Sequence, residues 1–270
     1  MERVRVLVHG ALGKMGQEVL RALCREPELE AVAGVDIKGE GEELLLPDGS
    51  RSIPLYADLE SILSRYHPDV LVDFTTAAAT MPAVRTAVKH NVRLVIGTTG
   101  LSEADLDEIT SLCQSQRIGA VVAPNFSLAA IVMIHLAKMA ARFFDHAEII
   151  EMHHEQKADA PSGTALATAR EMVKSRGKAF IHAATRDERS ARCRGSEFEG
   201  VALHSVRLPG MLAHQEIILG ALGQTLRIRL DQISREAFMP CVVLAIKKVT
   251  ELDEAVFGLN KILGLEEENC

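Results

Sequence analysis

The chain has 270 residues, 47% of them hydrophobic and 4% aromatic, with a formal net charge of −7 and a pI near 5.8. That apolar content supplies a real core and excludes a disordered chain, and the length exceeds one typical domain. The acidic balance, with no basic stripe interleaved with aromatics, argues against a nucleic-acid partner.

The amino terminus reads as strand, glycine turn, helix. Val4 to Val8 is an apolar, β-branched run, followed by Gly10-Ala11-Leu12-Gly13-Lys14-Met15-Gly16 and an amphipathic stretch from Gln17 to Leu23. This is the context a dinucleotide fingerprint requires, although the spacing is G-x-x-G-x-x-G and not G-x-G-x-x-G. A second apolar run, Leu29 to Val35, ends at Asp36, about twenty residues on, where an acidic group accepts from the adenosine ribose hydroxyls. Alternation continues with a strand at Asp69 to Phe74, a helix at Ala77 to His90, a strand at Arg93 to Ile96, a helix at Ser102 to Gln116 and a strand at Gly119 to Ala123. Such alternation predicts an α/β, doubly wound, parallel Rossmann-like sheet, with ligands outside the carboxyl ends of the strands. The segments at those ends, Phe74-Thr75-Thr76, Gly97-Thr98-Thr99-Gly100 and Ala123-Pro124-Asn125-Phe126-Ser127, offer backbone and amide groups to a nicotinamide.

The pattern changes after Asn125. The longest apolar stretch, Leu128 to Phe144, contains His135, Lys138 and Arg142, so it reads as a packed helix and not a membrane span, which needs ~20 predominantly apolar residues. Next come a strand ending in His153-His154, a helix from Gly163, a polar loop from Arg186 to Gly200, and period-2 strands at Val201–Arg207, Gln215–Leu219 and Thr225–Leu230. These predict a second α+β domain with a mixed or antiparallel sheet, one face of which can serve an oligomer interface. Helices at Glu236 to Val249 and Leu252 to Leu263 return to the first domain, with Arg235 at the crossing. The expected division is 1–126 with 235–270 for the dinucleotide and 127–234 for substrate and oligomerisation.

Residues 151–165 carry the chemistry. Two imidazoles, His153 and His154, an ammonium, Lys157, and a helix start at Pro161-Ser162 occupy fifteen positions. Successive side chains on a strand face opposite ways, so the histidines take different roles, one at a reacting atom and one on substrate. Ser162 reads as the N-cap, leaving the N–H groups of Gly163 and Thr164 for an anion. The set reads as a site for a small anionic substrate undergoing proton transfer. Cys24, Cys113, Cys193, Cys241 and Cys270 show no C-x-x-C spacing, and their odd number fits reduced thiols in a cytoplasm. No signal peptide precedes Val4, and the histidine pair lacks the further ligands of a metal site.

Gly10 to Gly16, Gly97-Thr98-Thr99-Gly100, Ala123 to Ser127, Glu151-Met152-His153-His154-x-x-Lys157-x-Asp159-Ala160-Pro161-Ser162-Gly163-Thr164-Ala165 and His204 to Gly210 together resemble the 4-hydroxy-tetrahydrodipicolinate reductase (dihydrodipicolinate reductase) family, in order over nearly the whole chain. The resemblance implies an NAD(P)H-dependent reductase of lysine and diaminopimelate biosynthesis, acting on a cyclic imine dicarboxylate, and a homotetramer. It implies His153 as acid/base group and Lys157 as proton donor. Substrate carboxylates would lie on His154, Gly163 and Thr164, and the cofactor on Gly10, Ala11, Leu12, Gly13, Lys14, Met15, Asp36, Gly97, Thr98, Thr99, Ala123, Pro124, Asn125 and Phe126. Four places depart from the family pattern: Leu230 and Pro240 stand where it usually has His and Gly, near Arg235, Ile37 where it often has Arg, and Phe74-Thr75-Thr76-Ala77 lacks the proline commonly found nearby. With Asp36 followed by Ile37 and then Lys38, both NADH and NADPH are expected to work, NADH the better. The competing readings are another two-domain amino-acid dehydrogenase, and a dinucleotide-binding sensor without turnover.

Overall fold

The computed structural model describes residues 3–182 and 193–265. The chain divides into two compact units, Met1–Ser127 with Phe238–Cys270, and Leu128–Ala237.

The first unit begins with β1 (Val4–His9), α1 (Lys14–Arg25), β2 (Leu29–Val35), β3 (Glu40–Leu45), β4 (Ser52–Tyr56), α2 (Leu59–Tyr66), β5 (Val70–Asp73), α3 (Ala77–Lys89), β6 (Arg93–Ile96), α4 (Glu103–Gln116) and β7 (Ala120–Val122). Residues 70–73 are buried throughout, and β1 is buried at Val6, Leu7 and Val8, as parallel strands covered on both faces require. Leu7, Leu71, Leu94 and Ile96 pack with Val84, Ala87, Ile109 and Cys113 from α3 and α4 in one core cluster. The strand order reverses between β1 and β5, which run parallel: β2 and β4 follow on one side, β6 and β7 on the other. A crevice at the strand ends therefore opens at this switch point. Side chains cap α2 (Asp58 accepting from Glu60 and Ser61 N–H) and α4 (a Ser102–Asp105 capping box). The helices that follow the two central strands, α1 from Gly13 and α3 from Thr76, have no side-chain cap.

The second unit holds α5 (Leu128–Ala141), β8 (His146–His153), α6 (Gly163–Arg176), β9 (Ser196–Phe198), β10 (Val201–Arg207), β11 (Ala213–Ala221) and β12 (Gln224–Gln232). Its five-stranded sheet runs β12-β11-β8-β10-β9, with β8 and β10 parallel and the other pairs antiparallel, so β8 is central. Small residues let α5 and α6 approach each other over this sheet: Ala137 and Ala141 from one, Ala165 and Ala169 from the other, with Ile149, Leu203, Ile217 and Leu219 beneath. Of the expected polar loop over 186–200, residues 186–192 lie outside the described residues. Ser196–Phe198 corrects the remainder, because it pairs antiparallel with Val201–Leu203 around Gly200, whose φ of +85° forms the turn.

The chain then returns through a 3-10 turn (Arg235–Phe238), α7 (Met239–Val249) and β13 (Ala255–Phe257). The expected helix start at Glu236 moves to Met239, where Pro240 sits in the first turn and needs no N–H partner. The expected helix over Leu252–Leu263 is wrong. Val256 and its neighbours form β13, which pairs parallel with β7, and Gly258 at φ +76° turns the chain away. The completed sheet reads β13-β7-β6-β5-β1-β2-β4-β3, parallel except for the β3–β4 pair. Over residues 37–68 the sequence suggests no element, yet β3, β4 and α2 form there. No helix among the described residues is long and apolar enough to cross a membrane.

Candidate active site

The cluster in the second unit is organised by a residue the sequence reading passes over. Along β8, Ala147, Ile149 and Glu151 alternate onto the buried face, which covers the α5–α6 layer. Glu151 thus carries a carboxylate into the core with 1% of its side chain exposed. An isolated charge there would cost several kcal/mol. Arg207, which the parallel β8–β10 register sets opposite His153, removes that cost by a bidentate bond: Nη2 to Oε1 at 2.8 Å and Nη1 to Oε2 at 2.9 Å. The Ser162 N–H also donates to Oε1, at 3.2 Å. His153 Nδ1 lies 2.5 Å from Oε2. Burial works against the carboxylate, but the bonds from Arg207, Ser205 and His153 outweigh it and hold Glu151 below the ordinary carboxylate range. An ionised carboxylate only accepts, so Nδ1 carries the proton of this bond. Burial pushes the His153 imidazole below its usual value against the opposite influence of Glu151, and the Lys157 and Arg207 charges add to the lowering.

The loop after β8 is stitched to the same arginine, whose Nε donates to the Lys157 carbonyl at 3.3 Å and Nη2 to that of Asp159 at 2.6 Å. Lys157 Nζ donates to Asp159 Oδ1 at 2.7 Å. This bond and the Gly163 N–H keep Asp159 below the ordinary range. Ser162 caps α6 by accepting from Ala165 N–H at 3.2 Å, and the first turn holds no acidic side chain. A Cβ on Gly163 would meet nothing within 4 Å, so open space lies beside the helix start. His153, Lys157, Gly163 and Thr164 therefore belong to one region of the second unit, with His154 following the end of β8. The Lys157 carbonyl and Nζ are engaged by Arg207 and Asp159, two partners that only the fold reveals. Arg235 opens the 3-10 turn.

In the first unit, the expected cofactor residues gather at the carboxyl ends of the strands. Gly10 takes φ +80°, and a Cβ there would strike the Phe74 carbonyl and the Thr75 side chain, both at 2.9 Å. A Cβ on Gly97 would enter the Phe74 ring at 2.0 Å, and that ring meets Phe126 edge-on at 5.7 Å. Asp36 accepts from Leu12 N–H at 3.0 Å, tying the end of β2 to the glycine turn. Gly10 to Met15, Asp36, Gly97 to Thr99 and Ala123 to Phe126 thus share one edge. Beneath them lies a second unanticipated residue, Asp73, fully buried and accepting from the Thr75 (2.6 Å), Thr80 and Thr98 (3.3 Å) hydroxyls. Thr98 in turn accepts from Thr75 N–H at 2.8 Å. His9 Nδ1 approaches Asp73 to 3.2 Å without hydrogen-bond alignment. Glycines at the close approaches, α1 without a side-chain N-cap and a half-buried carboxylate at the end of β2 fit a dinucleotide. Among the described residues no group of three or more His, Cys, Asp or Glu is placed to hold a metal ion.

Comparison with known proteins agrees over nearly the whole length. The family model described as dihydrodipicolinate reductase, N-terminus, matches residues 4–126, and that described as its C-terminus matches residues 129–263. The chain is 56% identical over 265 residues to 4-hydroxy-tetrahydrodipicolinate reductase of Dehalococcoides mccartyi, covering 98% of this chain and 100% of that protein. The figure is 48% over 262 residues for the Moorella thermoacetica enzyme of the same name, covering 96% and 98%. A solved structure of dipicolinate-bound dihydrodipicolinate reductase from Paenisporosarcina sp. TG-14 superposes with a TM-score of 0.85 at 38% identity, over 96% of this chain and 99% of that one. An amine dehydrogenase of Mycobacterium smegmatis, at 17% identity and a TM-score of 0.62, shares the fold alone. With both family models matched and the Glu151–His153 cluster in place, this chain belongs to the dihydrodipicolinate reductase family.

Proposed function

We propose that this chain reduces 4-hydroxy-tetrahydrodipicolinate to tetrahydrodipicolinate in lysine and diaminopimelate biosynthesis, with NADH or NADPH as reductant. The observation that carries the reading is the His153 imidazole at the end of the central strand β8, with its Nδ1 side on buried Glu151. The first unit would hold the dinucleotide on Gly10 to Met15, Asp36, Gly97 to Thr99 and Ala123 to Phe126. Loss of the 4-hydroxyl as water leaves an unsaturated cyclic imine dicarboxylate, to which a bound reduced nicotinamide would supply a hydride. His153 delivers the proton that the ring then requires, since imidazole titrates near neutrality and a general acid works best there. Lys157 lends its ammonium to the same step. His154, Gly163 and Thr164 hold the two carboxylates and so fix the ring. The dipicolinate-bound relative supports a planar ring dicarboxylate as the ligand class.

Asp36 favours NADH, because its carboxylate accepts from both ribose hydroxyls and repels a 2′-phosphate, while Ile37 is 91% exposed and offers that phosphate nothing. The working form is a homotetramer: α5 turns Leu136, Met139 and nearby Phe143 outward, apolar surface that a second copy would cover, and light scattering decides the number of chains.

The test is the loss of NADH absorbance when the fresh condensation product of pyruvate and aspartate semialdehyde is added. His153→Ala and Lys157→Ala should each lose about 10²–10⁴-fold in kcat while retaining dinucleotide binding. No oxidation with this substrate, or near wild-type turnover in both folded variants, would sink the reading.

A further inference from the structure

Glu151 contacts three groups that the proposed reaction needs in register: the ring nitrogen of His153, the guanidinium of Arg207, and the backbone N–H of Ser162 at the start of α6. We propose that Glu151, clamped by Arg207, is a positioning residue that fixes His153 in the Nδ1–H form with Nε2 toward the reacting ring, and that the same carboxylate anchors the carboxylate-binding start of α6. This rests on the reading of His153 as the acid/base group.

The geometry leaves Glu151 few alternatives. Its side chain is buried, both oxygens accept from Arg207, and further donors are Ser162 N–H on Oε1, His153 Nδ1 on Oε2 and the Ser205 side chain. The neutral imidazole then has its lone pair on Nε2, on the far side of the ring from Glu151. When Nε2 gains a proton, the carboxylate stabilises the resulting imidazolium without moving, as a pre-oriented charge should. The charged groups around His153 are Glu151 on its own strand, Arg207 from β10, and Lys157, paired with Asp159, from the loop. The neighbour across β11 is Ala213, which does not titrate.

Glu151→Gln keeps the shape and removes the charge. Arg207 can bond only to the amide oxygen, so the amide nitrogen faces Ser162 N–H or His153 Nδ1, and in the latter case it drives the imidazole to the wrong tautomer. The expected result is a fall in kcat of about 10²-fold or more with the KM for NADH unchanged. The high-pH limb of kcat should move about one pH unit lower, because an acid that must be protonated loses its anionic partner. A packing role alone would leave that limb in place. In wild-type protein, ¹⁵N chemical shifts of His153, assigned by comparison with His153→Asn, should show neutral imidazole protonated on Nδ1. This measurement decides the matter if Glu151→Gln does not fold. Near wild-type turnover in His153→Ala would overturn the underlying reading of His153. An inactive His153→Ala beside a Glu151→Gln with wild-type kcat and pH profile, or a neutral His153 protonated on Nε2, would overturn this inference and leave that reading standing.

Discussion

Gly16→Ala tests whether the close approach of α1 to the glycine turn builds the dinucleotide end. A Cβ on Gly16 would lie 2.1 Å from the Gly10 carbonyl oxygen and 2.9 Å from Ala11 Cα. Ordinary contact needs about 3.5 Å, so helix and turn must separate by more than about 1 Å. The turn cannot yield easily, because Gly10 and Ala11 N–H both donate to the Val35 carbonyl, at 2.8 and 3.1 Å, and Gly13 N–H donates to that of Gly10 at 3.0 Å. Overpacking of this kind costs about 1–3 kcal/mol, and alanine returns up to about 1 kcal/mol of helix propensity. The net loss of about 1–2 kcal/mol should lower Tm by roughly 2–8 °C. Displacing the first turn also withdraws its N–H groups, so NADH affinity should fall at least about tenfold. Calorimetry and NADH fluorescence titration measure both effects. Gly163→Ala, whose Cβ meets nothing within 4 Å, is the matched control and should keep wild-type melting and NADH affinity. A Gly16→Ala protein with wild-type Tm and NADH affinity would refute the packing argument.

Pyridine-2,6-dicarboxylate should compete with substrate and, in a crystal, place a carboxylate against Gly163 and Thr164; carboxylates found elsewhere, with the Gly163 N–H still on Asp159, would overturn that assignment. On cofactor choice, kcat/KM should favour NADH about fivefold, near 1 kcal/mol for one exposed charge contact, whereas an NADPH preference that vanishes in Lys38→Ala would show that Lys38 governs the pocket. Glu151 has a folded pKa below its ordinary value, so its stabilisation is present at neutral pH and is lost as pH falls through the folded value. Urea midpoints at pH 7, 5, 4 and 3 should therefore decline less in Glu151→Gln than in wild type, and equal declines would contradict the sign of this effect.

The parallel strands of the first unit are legible because buried runs such as Val70 to Val72 alternate with helical stretches, and the helix at Gly163 is legible from Ser162. The missed region has a physical cause in β3, where Glu40, Glu42 and Glu43 sit on an edge strand and an irregularity between Glu40 and Glu42 breaks the period-2 pattern. The return segment misleads in the opposite direction: Leu252, Val256, Leu259 and Leu263 recur at helical spacing, yet pairing with β7 decides the outcome. At the site, the glycine turn and the His-His-x-x-Lys spacing are local signals and can be read directly. Glu151 cannot, because its partner Arg207 lies 56 residues away and meets it only through the β8–β10 register. The available clue is a glutamate sharing a strand face with Ala147 and Ile149, a place where an unpaired charge would not survive.

The first unit is assembled from two stretches of chain with the whole second unit between them. Until α7 and β13 have left the ribosome, the β7 edge has no partner on that side and the faces of β5, β6 and β7 that α7 contacts stay bare. The second unit is continuous from Leu128 to Ala237 and owns its core, so every residue it needs emerges first. Vectorial synthesis therefore reverses the order of the sequence: the middle domain matures while the amino-terminal one waits, with an open strand edge, for its last two elements.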